Sequence, residues 1–427
     1  MNQIKATKLP NGLQLILAPQ EAARSMTLLV LVKVGSRYET LKINGAAHFV
    51  EHMMFKGTTK RPNTQAISQE LDRYGAEYNA YTGKDLTGYY IKMDAKHTDT
   101  AIDMLHDMLF HSKFDKVEVE RERTVILEEI NMYEDSPRDH IADMLEEALF
   151  KGSTLSWNIA GTRQTVRAMK ASELKAFHDA YYIPARMTVV LAGNVNPKAV
   201  ATIKKTFGKV VAPKKRLDQP VACFKKPKKL TKPSTLLKKK TEQVQLSLGF
   251  LGIPYGSKDR LAANVLSLIM GGTMSSRLFT EIREKRGLCY AIRASHESLE
   301  DTGVFTVSAG LDKTRLEEAV KAIYSEFNKI IQEPVSNDEL TRAKENIRGR
   351  MMLAFEDTAS RAEWYGRQWL QERKLETPEQ RLKQIDQITN KDILKVARQI
   401  LNPKMMVSAA IGPLVNESKF KKIIDWK

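Results

Sequence analysis

The spacing of hydrophobic and polar positions divides the first half of the chain into alternating strands and helices. Residues 13–18 and 26–34 are aliphatic and β-branched runs, which predicts two strands. A helix is expected from Ala46, and the next one between residues 63 and 74. The remaining predicted elements are strands at 77–82, 87–93 and 187–193, and helices at 98–109, 116–134, 137–150, 171–182 and 197–207.

The second half of the chain repeats this order of elements after a segment of different composition. Residues 213–240 are rich in lysine and proline and cannot supply much core, which predicts a linker between domains at 1–212 and 241–427. The repeated order of strands and helices suggests an internal duplication. The elements predicted in this half are strands at 243–249, 290–298 and 304–309, and helices at 258–270, 277–285, 316–331 and 336–355.

Length and composition indicate a folded protein with a sizeable core. The chain has 427 residues, of which 42% are hydrophobic and 28% charged. No run approaches the roughly 20 apolar residues of a membrane span, and the N-terminus has no apolar signal core, so we expect no membrane association and a cytoplasmic location. Cys223 and Cys289 are too few for a disulfide framework or a structural zinc site.

The formal charge of +17 raises the question of nucleic-acid binding. Much of the lysine excess lies in the linker segment, however, and no nucleic-acid-binding motif accompanies it. A solvated linker is therefore favoured over a functional basic patch, and nucleic acid is not expected as a partner.

The helix from Ala46 carries the most informative motif. His48 and His52 lie one turn apart on one face, and Glu51 falls on the same side. Two neutral imidazoles at this spacing can share one Zn²⁺, and a neighbouring carboxylate can take a proton from water at the metal. The order His-x-x-Glu-His is the inverzincin signature. The alternative is a buried helix with two satisfied core histidines, so a third ligand is needed to decide.

The helix predicted at 116–134 offers candidates for that third ligand. Glu122 and Glu129 are seven residues apart and share a face with Val125 and Ile126. Glu128 points well away from that face. A carboxylate on an apolar face is costly unless charged partners or a metal satisfy it, which favours Glu129 as a ligand. Glu122 is left open between an ordinary ion pair on a solvated helix and a role at the metal.

These two segments resemble those of the pitrilysin-type zinc peptidases, most closely the short branch that includes the catalytic subunit of mitochondrial processing peptidase. The resemblance covers nearly the whole chain: residues 45–58 look like the family's inverted zinc helix, and residues 122–129 like its second metal segment. It implies that Glu129 is the third ligand of one catalytic Zn²⁺ per chain and that Glu122 supports the site. It also implies an α+β fold of two related domains, each an antiparallel sheet packed with helices.

The resemblance extends to two further pairs of residues. Asn79 and Ala80 lie in a stretch similar to the family's edge strand, which adds an extended substrate as an extra β-strand. Without the resemblance, a plain hairpin is favoured there. Arg283 and Tyr290 resemble the Arg and Tyr of the C-terminal catalytic element, whose donors help to hold the substrate carbonyl as negative charge builds on its oxygen.

Asp139 and Asp143 lie four residues apart on one helix face. In arginine-preferring members of the family, acids at matching positions hold a basic substrate side chain. The alternative is structural, because Asp139 would complete a capping box with Ser136 while Asp143 is simply solvated. Both interpretations stay open at the level of the sequence.

The sequence therefore predicts a zinc metalloendopeptidase that hydrolyses peptides or extended protein segments, with Glu51 as the base for water. Because one chain carries both the zinc motif and the Arg/Tyr pair, we expect a homodimer with two equivalent sites. The alternatives are a catalytically idle structural or assembly subunit of the same family and a basic nucleic-acid-binding protein. The presence of all four candidate site residues argues against the idle subunit: His48, Glu51, His52 and Glu129.

Overall fold

A computed structural model describes residues 3–211, 223–227, 230, 234–414 and 416–426 of the chain. Within these residues the strands are β1 (Lys5–Lys8), β2 (Gln14–Pro19), β3 (Ser25–Val32), β4 (Glu77–Thr82), β5 (Thr87–Asp94), β6 (Met187–Gly193), β7 (Ser234–Lys238), β8 (Gln243–Leu251), β9 (Cys289–Ser298), β10 (Gly303–Asp312) and β11 (Val407–Gly412). The α-helices are α1 (Ala46–Met53), α2 (Thr64–Asp72), α3 (Thr98–His111), α4 (Lys116–Asp135), α5 (Pro137–Leu149), α6 (Arg163–Ala168), α7 (Ala171–Tyr181), α8 (Pro197–Thr206), α9 (Arg260–Ser267), α10 (Leu316–Gln332), α11 (Asn337–Phe355), α12 (Thr358–Glu372), α13 (Pro378–Asp386), α14 (Asn390–Ile400) and α15 (Glu417–Ile423).

The first sheet has the strand order β1-β2-β6-β3-β5-β4 and is antiparallel except for the parallel pair β2/β6. Alternate side chains of β3 enter two different cores. Leu28 and Val30 pack on the face covered by α1, α3, α7 and α8, whereas Leu29 and Leu31 pack on the face covered by α12. Burial on both faces explains why this strand is a continuous apolar run in the sequence.

The second sheet repeats the first. Its strand order is β7-β11-β8-β10-β9. These strands correspond, one by one and in this order, to β2, β6, β3, β5 and β4 of the first sheet. The one parallel pair, β7/β11, lies in the position of β2/β6. One face of this sheet packs against α9, α10 and α14, and the other against α5. The predicted α+β fold with two related halves is confirmed, with one parallel pair in each otherwise antiparallel sheet.

The chain forms two compact units, and each unit takes a helix from the other half of the sequence. Unit 1 comprises the described residues of Met1–Ile130, Trp157–Val221 and Met351–Thr377, and unit 2 those of Asn131–Ser156, Ala222–Arg350 and Pro378–Lys427. Thus α5 packs on the second sheet and α12 on the first. The predicted division at 1–212 and 241–427 does not include these exchanges, because an apolar helix face shows that a helix packs without showing against which sheet.

Part of the predicted linker is a strand. Most of residues 213–240 lie outside the described residues, but Ser234–Lys238 form β7, which pairs in parallel with β11. Leu236 packs on one side of the second sheet and Leu237 on the other. The linker prediction is wrong for these five residues because the surrounding lysines and prolines obscure a short stretch of strand periodicity.

The helices predicted in the first half agree with those of the structure to within two residues at each end, although the prediction misses α6. In the second half, the predicted helix 258–270 is α9 followed by the π-helical turn Leu268–Gly272. The predicted helix 277–285 is the π-helical segment Phe279–Glu284. Among the described residues, no helix has the length and apolar character that crossing a membrane requires.

Candidate metal centre

The helix that carries the His-x-x-Glu-His motif is α1, and its start is fixed by contacts from elsewhere in unit 1. Gly45, the N-cap residue, has φ +98°, in the left-handed region that favours glycine, and a Cβ there would lie 2.6 Å from the carbonyl oxygen of Ala160. The buried carboxylate of Glu39 accepts hydrogen bonds from the backbone N–H groups of Gly45 and Ala47 at 2.8 and 2.7 Å. Glu39 thereby satisfies N–H groups that the start of a helix leaves without internal partners.

Three donor atoms from α1 and α4 converge on one point. His48 Nε2 and His52 Nε2 are 3.1 Å apart, and Oε2 of Glu129 lies 3.6 Å from the first and 3.5 Å from the second. Ligand atoms at about 2.0–2.1 Å from a tetrahedral zinc ion are about 3.3–3.4 Å from one another. The spacing therefore fits one zinc ion with a fourth position left for water or substrate. In the described part of the chain, these three side chains form the one group of His, Cys, Asp or Glu residues that is close enough together to hold a metal.

The two histidines are held in forms that suit metal ligands. Burial and the neighbouring His52 lower the pKa of His48 to about 3, so its imidazole is neutral near pH 7. His52 Nδ1 lies 2.7 Å from Oε1 of Glu122. A proton on Nδ1, donated to this carboxylate, leaves Nε2 with a lone pair on the side of Glu129. The donor chemistry thus fits zinc.

Glu122 contacts a ligand and contributes no atom to the donor group. It is 5% exposed, and its second oxygen, Oε2, accepts a hydrogen bond from Nζ of Lys56 at 2.5 Å. Burial acts to raise its pKa, but the hydrogen bonds from His52 and Lys56 hold the pKa of Glu122 below its ordinary value. The carboxylate therefore holds the His52 ring by a hydrogen bond, and the supporting role of Glu122 at a bound metal stays a prediction.

Glu51 precedes His52 on α1 and is partly buried. Its Oε2 accepts a hydrogen bond from Oγ1 of Thr82 at 2.5 Å. Burial raises the pKa of Glu51, the hydrogen bond from Thr82 and the charge of His52 oppose the rise, and Glu129 adds to it. A carboxyl group whose pKa is raised and which lies beside a metal site is suited to both accepting and donating a proton.

The register of α4 distinguishes its two adjacent acids. Glu129 belongs to the donor group, whereas Glu128 is exposed. The predicted apolar face is wrong at Val125, which is 50% exposed, and right at Ile126, which is buried together with Ile130. Burial raises the pKa of Glu129, an energetic cost that a divalent cation beside the carboxylate offsets.

Asn79 and Ala80 lie on β4, at one edge of the first sheet. Asn79 is opposite Tyr90 and Ala80 opposite Tyr89 on β5, and no described strand pairs with the other side of β4. Thr82, the hydrogen-bond donor to Glu51, ends the same strand. A hydrogen bond from the end of the edge strand therefore holds the candidate base.

The other predicted residues lie in unit 2. Arg283 donates from Nε to the backbone oxygen of Tyr290 at 3.0 Å, and the Tyr290 residue is 79% exposed. Before α5, the hydroxyl of the N-cap residue Ser136 donates to the Asp139 carboxylate at 2.5 Å, but Ser136 makes no side-chain hydrogen bond to the helix backbone, so the capping box of the structural alternative is not formed. Asp143 is half-buried. The roles of these two pairs at a substrate stay predictions.

Three residues that contact the site are missing from the sequence analysis: Glu39, Lys56 and Thr82. Lys56 lies four residues after His52, the spacing of the two histidines, so the sequence offers a signal for it although α1 ends at Met53. Glu39 and Thr82 have no comparable local signal, because the fold brings them to α1 from a preceding loop and from a strand.

Comparison with known protein families agrees with this geometry. The family described as "Insulinase (Peptidase family M16)" matches residues 15–163, and that described as "Peptidase M16 inactive domain" matches residues 168–347. The chain belongs to peptidase family M16. The pitrilysin-type resemblance is confirmed at the level of the family. All residues of the donor group lie in the first of the two matched segments.

Relatives of this M16 chain match it over nearly its whole length. It is 34% identical over 413 residues to the "Uncharacterized zinc protease YmxG" of Bacillus subtilis, an alignment that covers 97% of this chain and 99% of the relative. It is 35% identical over 414 residues to an "Uncharacterized zinc protease" of Streptomyces coelicolor, which covers 96% of this chain and 90% of the relative. Membership of a family of proteases follows from these matches.

Solved structures share the fold of the M16 chain. A protease from Helicobacter pylori superposes with a TM-score of 0.89 at 24% identity, covering 96% of this chain and 100% of that one. A peptidase M16 inactive domain from Pseudomonas fluorescens gives a TM-score of 0.88 at 19% identity, covering 97% and 99%. At these identities the two structures support the architecture described above and no more.

Proposed function

We propose that this M16 chain is a zinc-dependent endopeptidase that hydrolyses peptides or extended segments of proteins. The observation that carries the proposal is the donor group of His48, His52 and Glu129, whose atoms lie 3.1–3.6 Å apart with Glu51 beside them. The zinc protease relatives from Bacillus subtilis and Streptomyces coelicolor support the same conclusion by name.

In the proposed mechanism, His48, His52 and Glu129 hold one zinc ion. When bound, zinc supplies a Lewis acid that polarises a carbonyl group and makes water more acidic. Glu51 accepts a proton from the attacking water and passes it to the leaving amine. Thr82 keeps the Glu51 carboxylate oriented during both transfers, and Glu122 keeps the His52 ring in place.

The substrate class follows from the sheet edge beside the base. An extended peptide that pairs with β4 at Asn79 and Ala80 would run towards Thr82, whose hydroxyl holds Glu51. Main-chain hydrogen bonds bind an extended peptide with little regard for its sequence. We therefore propose extended or unfolded polypeptide as the substrate.

Glu51→Gln tests the proposal. Glutamine keeps the hydrogen bond from Thr82 but cannot accept the proton of water, so peptide cleavage should fall by about 10²–10⁴-fold while zinc binding is retained. Cleavage is measured with a quenched fluorescent peptide library, and bound zinc by elemental analysis of the purified chain. His48→Ala is the companion variant, which should lose zinc and activity together.

A catalytically idle subunit of the same family is the second candidate. It is favoured by the description "inactive domain", which applies both to the family match at residues 168–347 and to the Pseudomonas fluorescens structure. The two candidates differ in one measurement: the parent chain with zinc bound either cleaves members of the peptide library or does not. Cleavage by Glu51→Gln at the parent rate would make the assigned mechanism wrong.

A further inference from the structure

Glu39 is a buried acid whose carboxyl oxygens accept hydrogen bonds from the residues at the start of α1. The residue is 5% exposed. Its Oε2 accepts from Asn44 Nδ2 at 2.9 Å and from the Gly45 N–H at 2.8 Å, and its Oε1 accepts from the Ala47 N–H at 2.7 Å. The partners of this carboxylate are thus the residues immediately before His48.

A second segment holds the same turn from another side. Asn44 Nδ2 also donates to the backbone oxygen of Asn158 at 2.9 Å. Gly161 has φ +81°, and a Cβ at this position would lie 2.4 Å from the backbone oxygen of Asn44. The turn before α1 is therefore packed too tightly to shift without breaking these contacts, and Glu39 supplies the acceptor atoms inside it.

The burial of this carboxylate has an energetic cost that helix formation alone does not require. Burial raises the pKa of Glu39 to about 8, although the donors at Ala47, Asn44 and Gly45 and the charge of Lys84 oppose the rise. A small polar N-cap residue would satisfy a helix start at lower cost. What the Glu39 contacts add is a specific placement of the first turn.

The placement of that turn decides the geometry of the metal ligands. The helix α1 is eight residues long, with one histidine in its first turn and the other in its second. The third ligand, Glu129, comes from a different helix, α4. A movement of the first turn of α1 therefore moves both histidine donor atoms relative to the carboxylate.

We propose that Glu39 is a positioning residue for the metal centre. By holding the N–H groups of Gly45 and Ala47, it sets the placement of α1 at which His48 and His52 meet Glu129. This inference rests on the proposed function, because a metal centre matters only if the chain uses zinc. It is tested by the affinity of the chain for zinc, which is measured independently of peptide cleavage.

Glu39→Gln is the decisive variant. Both oxygens of Glu39 accept hydrogen bonds from N–H groups, so a glutamine must turn its NH₂ group towards one of these donors. The affinity for zinc should fall by about 10–100-fold, the loss typical of residues that support metal ligands. Affinity is measured on the full chain above pH 8, where the Glu39 carboxyl group is ionised, by competition with a chromophoric chelator, and hydrogen exchange should become faster at residues 44–53.

Glu326→Gln is the matched control. Glu326 is also 5% exposed and lies in unit 2, where it pairs with Lys329 at 2.6 Å. The same change of a buried carboxylate to an amide should leave both the zinc affinity and the exchange of α1 as in the parent. This control separates a loss of position at α1 from a general effect of altering a buried acid.

A folded Glu39→Gln chain with the zinc affinity of the parent would overturn the inference. If that variant does not fold, Glu39→Asp decides by the same comparison, because it keeps the carboxyl group but shortens the reach to Ala47. If neither folds, the parent decides: zinc must slow the exchange of the Gly45 and Ala47 amides, and unchanged exchange overturns the inference. A parent that binds zinc and cleaves no peptide would defeat the proposed function alone.

Discussion

Two adjacent glutamates show how strongly single residues determine the metal centre. Glu129 Oε2 lies 3.5 Å from His52 Nε2, whereas Glu128 is exposed on the same helix. Successive residues of an α-helix are about 100° apart around the axis, so only one of two neighbours can face α1. The register of α4 therefore decides which of the two acids is the proposed third ligand.

We expect Glu129→Gln and Glu128→Gln to differ sharply. Glu129→Gln removes a proposed ligand, so it should lower zinc affinity by more than about 100-fold, the upper end of the loss typical of supporting residues. Glu128→Gln should leave zinc affinity unchanged. Chelator competition on the two purified variants measures the difference. The opposite ranking would move the ligand to Glu128 and change the register assigned to α4.

Residues whose relation depends on helical spacing can be predicted from the sequence, and those brought together by the fold cannot. His48, Glu51 and His52 share one helix, and Glu129 lies at a predictable position on another. Glu39 and Thr82 reach α1 through tertiary contacts that no local pattern encodes. The sequence therefore identifies the chemical groups of the candidate site better than the residues that orient them.

At the scale of secondary structure elements, the same limit applies to helices. The sequence predicts α5 and no element at α12, and each of these helices packs on the sheet of the other half of the chain. Strand periodicity predicts β4, β5 and β6, whether the partner strand is near or far along the chain. It fails for β7, because the lysines and prolines around Ser234–Lys238 obscure a short stretch of strand periodicity.

At the scale of the whole molecule, the candidate groups are divided between the units. The donor group lies in unit 1, and Arg283 and Tyr290 lie in unit 2. Because one chain carries both sets, we propose a homodimer with two equivalent sites, in which each chain supplies Arg283 and Tyr290 to the zinc site of its partner. This arrangement makes a specific prediction about mixed dimers.

Chains with Glu51→Gln should restore activity when mixed with chains that carry Tyr290→Phe. Each variant alone should be nearly inactive, whereas a mixed dimer should contain one intact site. Random exchange should then recover about a quarter of the parent activity, since half of the dimers are mixed and each has one of two sites. A fully active monomer by light scattering, or verified mixed dimers without recovery, would contradict the trans arrangement.

The buried carboxylate of Glu39 also makes the stability of the molecule depend on pH. Because its pKa is about 8 in the folded chain against an ordinary value of 4.5, the folded chain keeps a proton that the unfolded chain releases. Stability contributed by this proton is fully present below pH 4.5, decreases as the pH rises, and is lost above about pH 8. As the pH rises from 4.5 to about 8, the melting temperature of the metal-free parent should therefore fall relative to that of metal-free Glu39→Gln. A difference in melting temperature that does not change with pH would contradict this expectation. The acid that places the metal helix would thus make the metal-free protein sensitive to alkali.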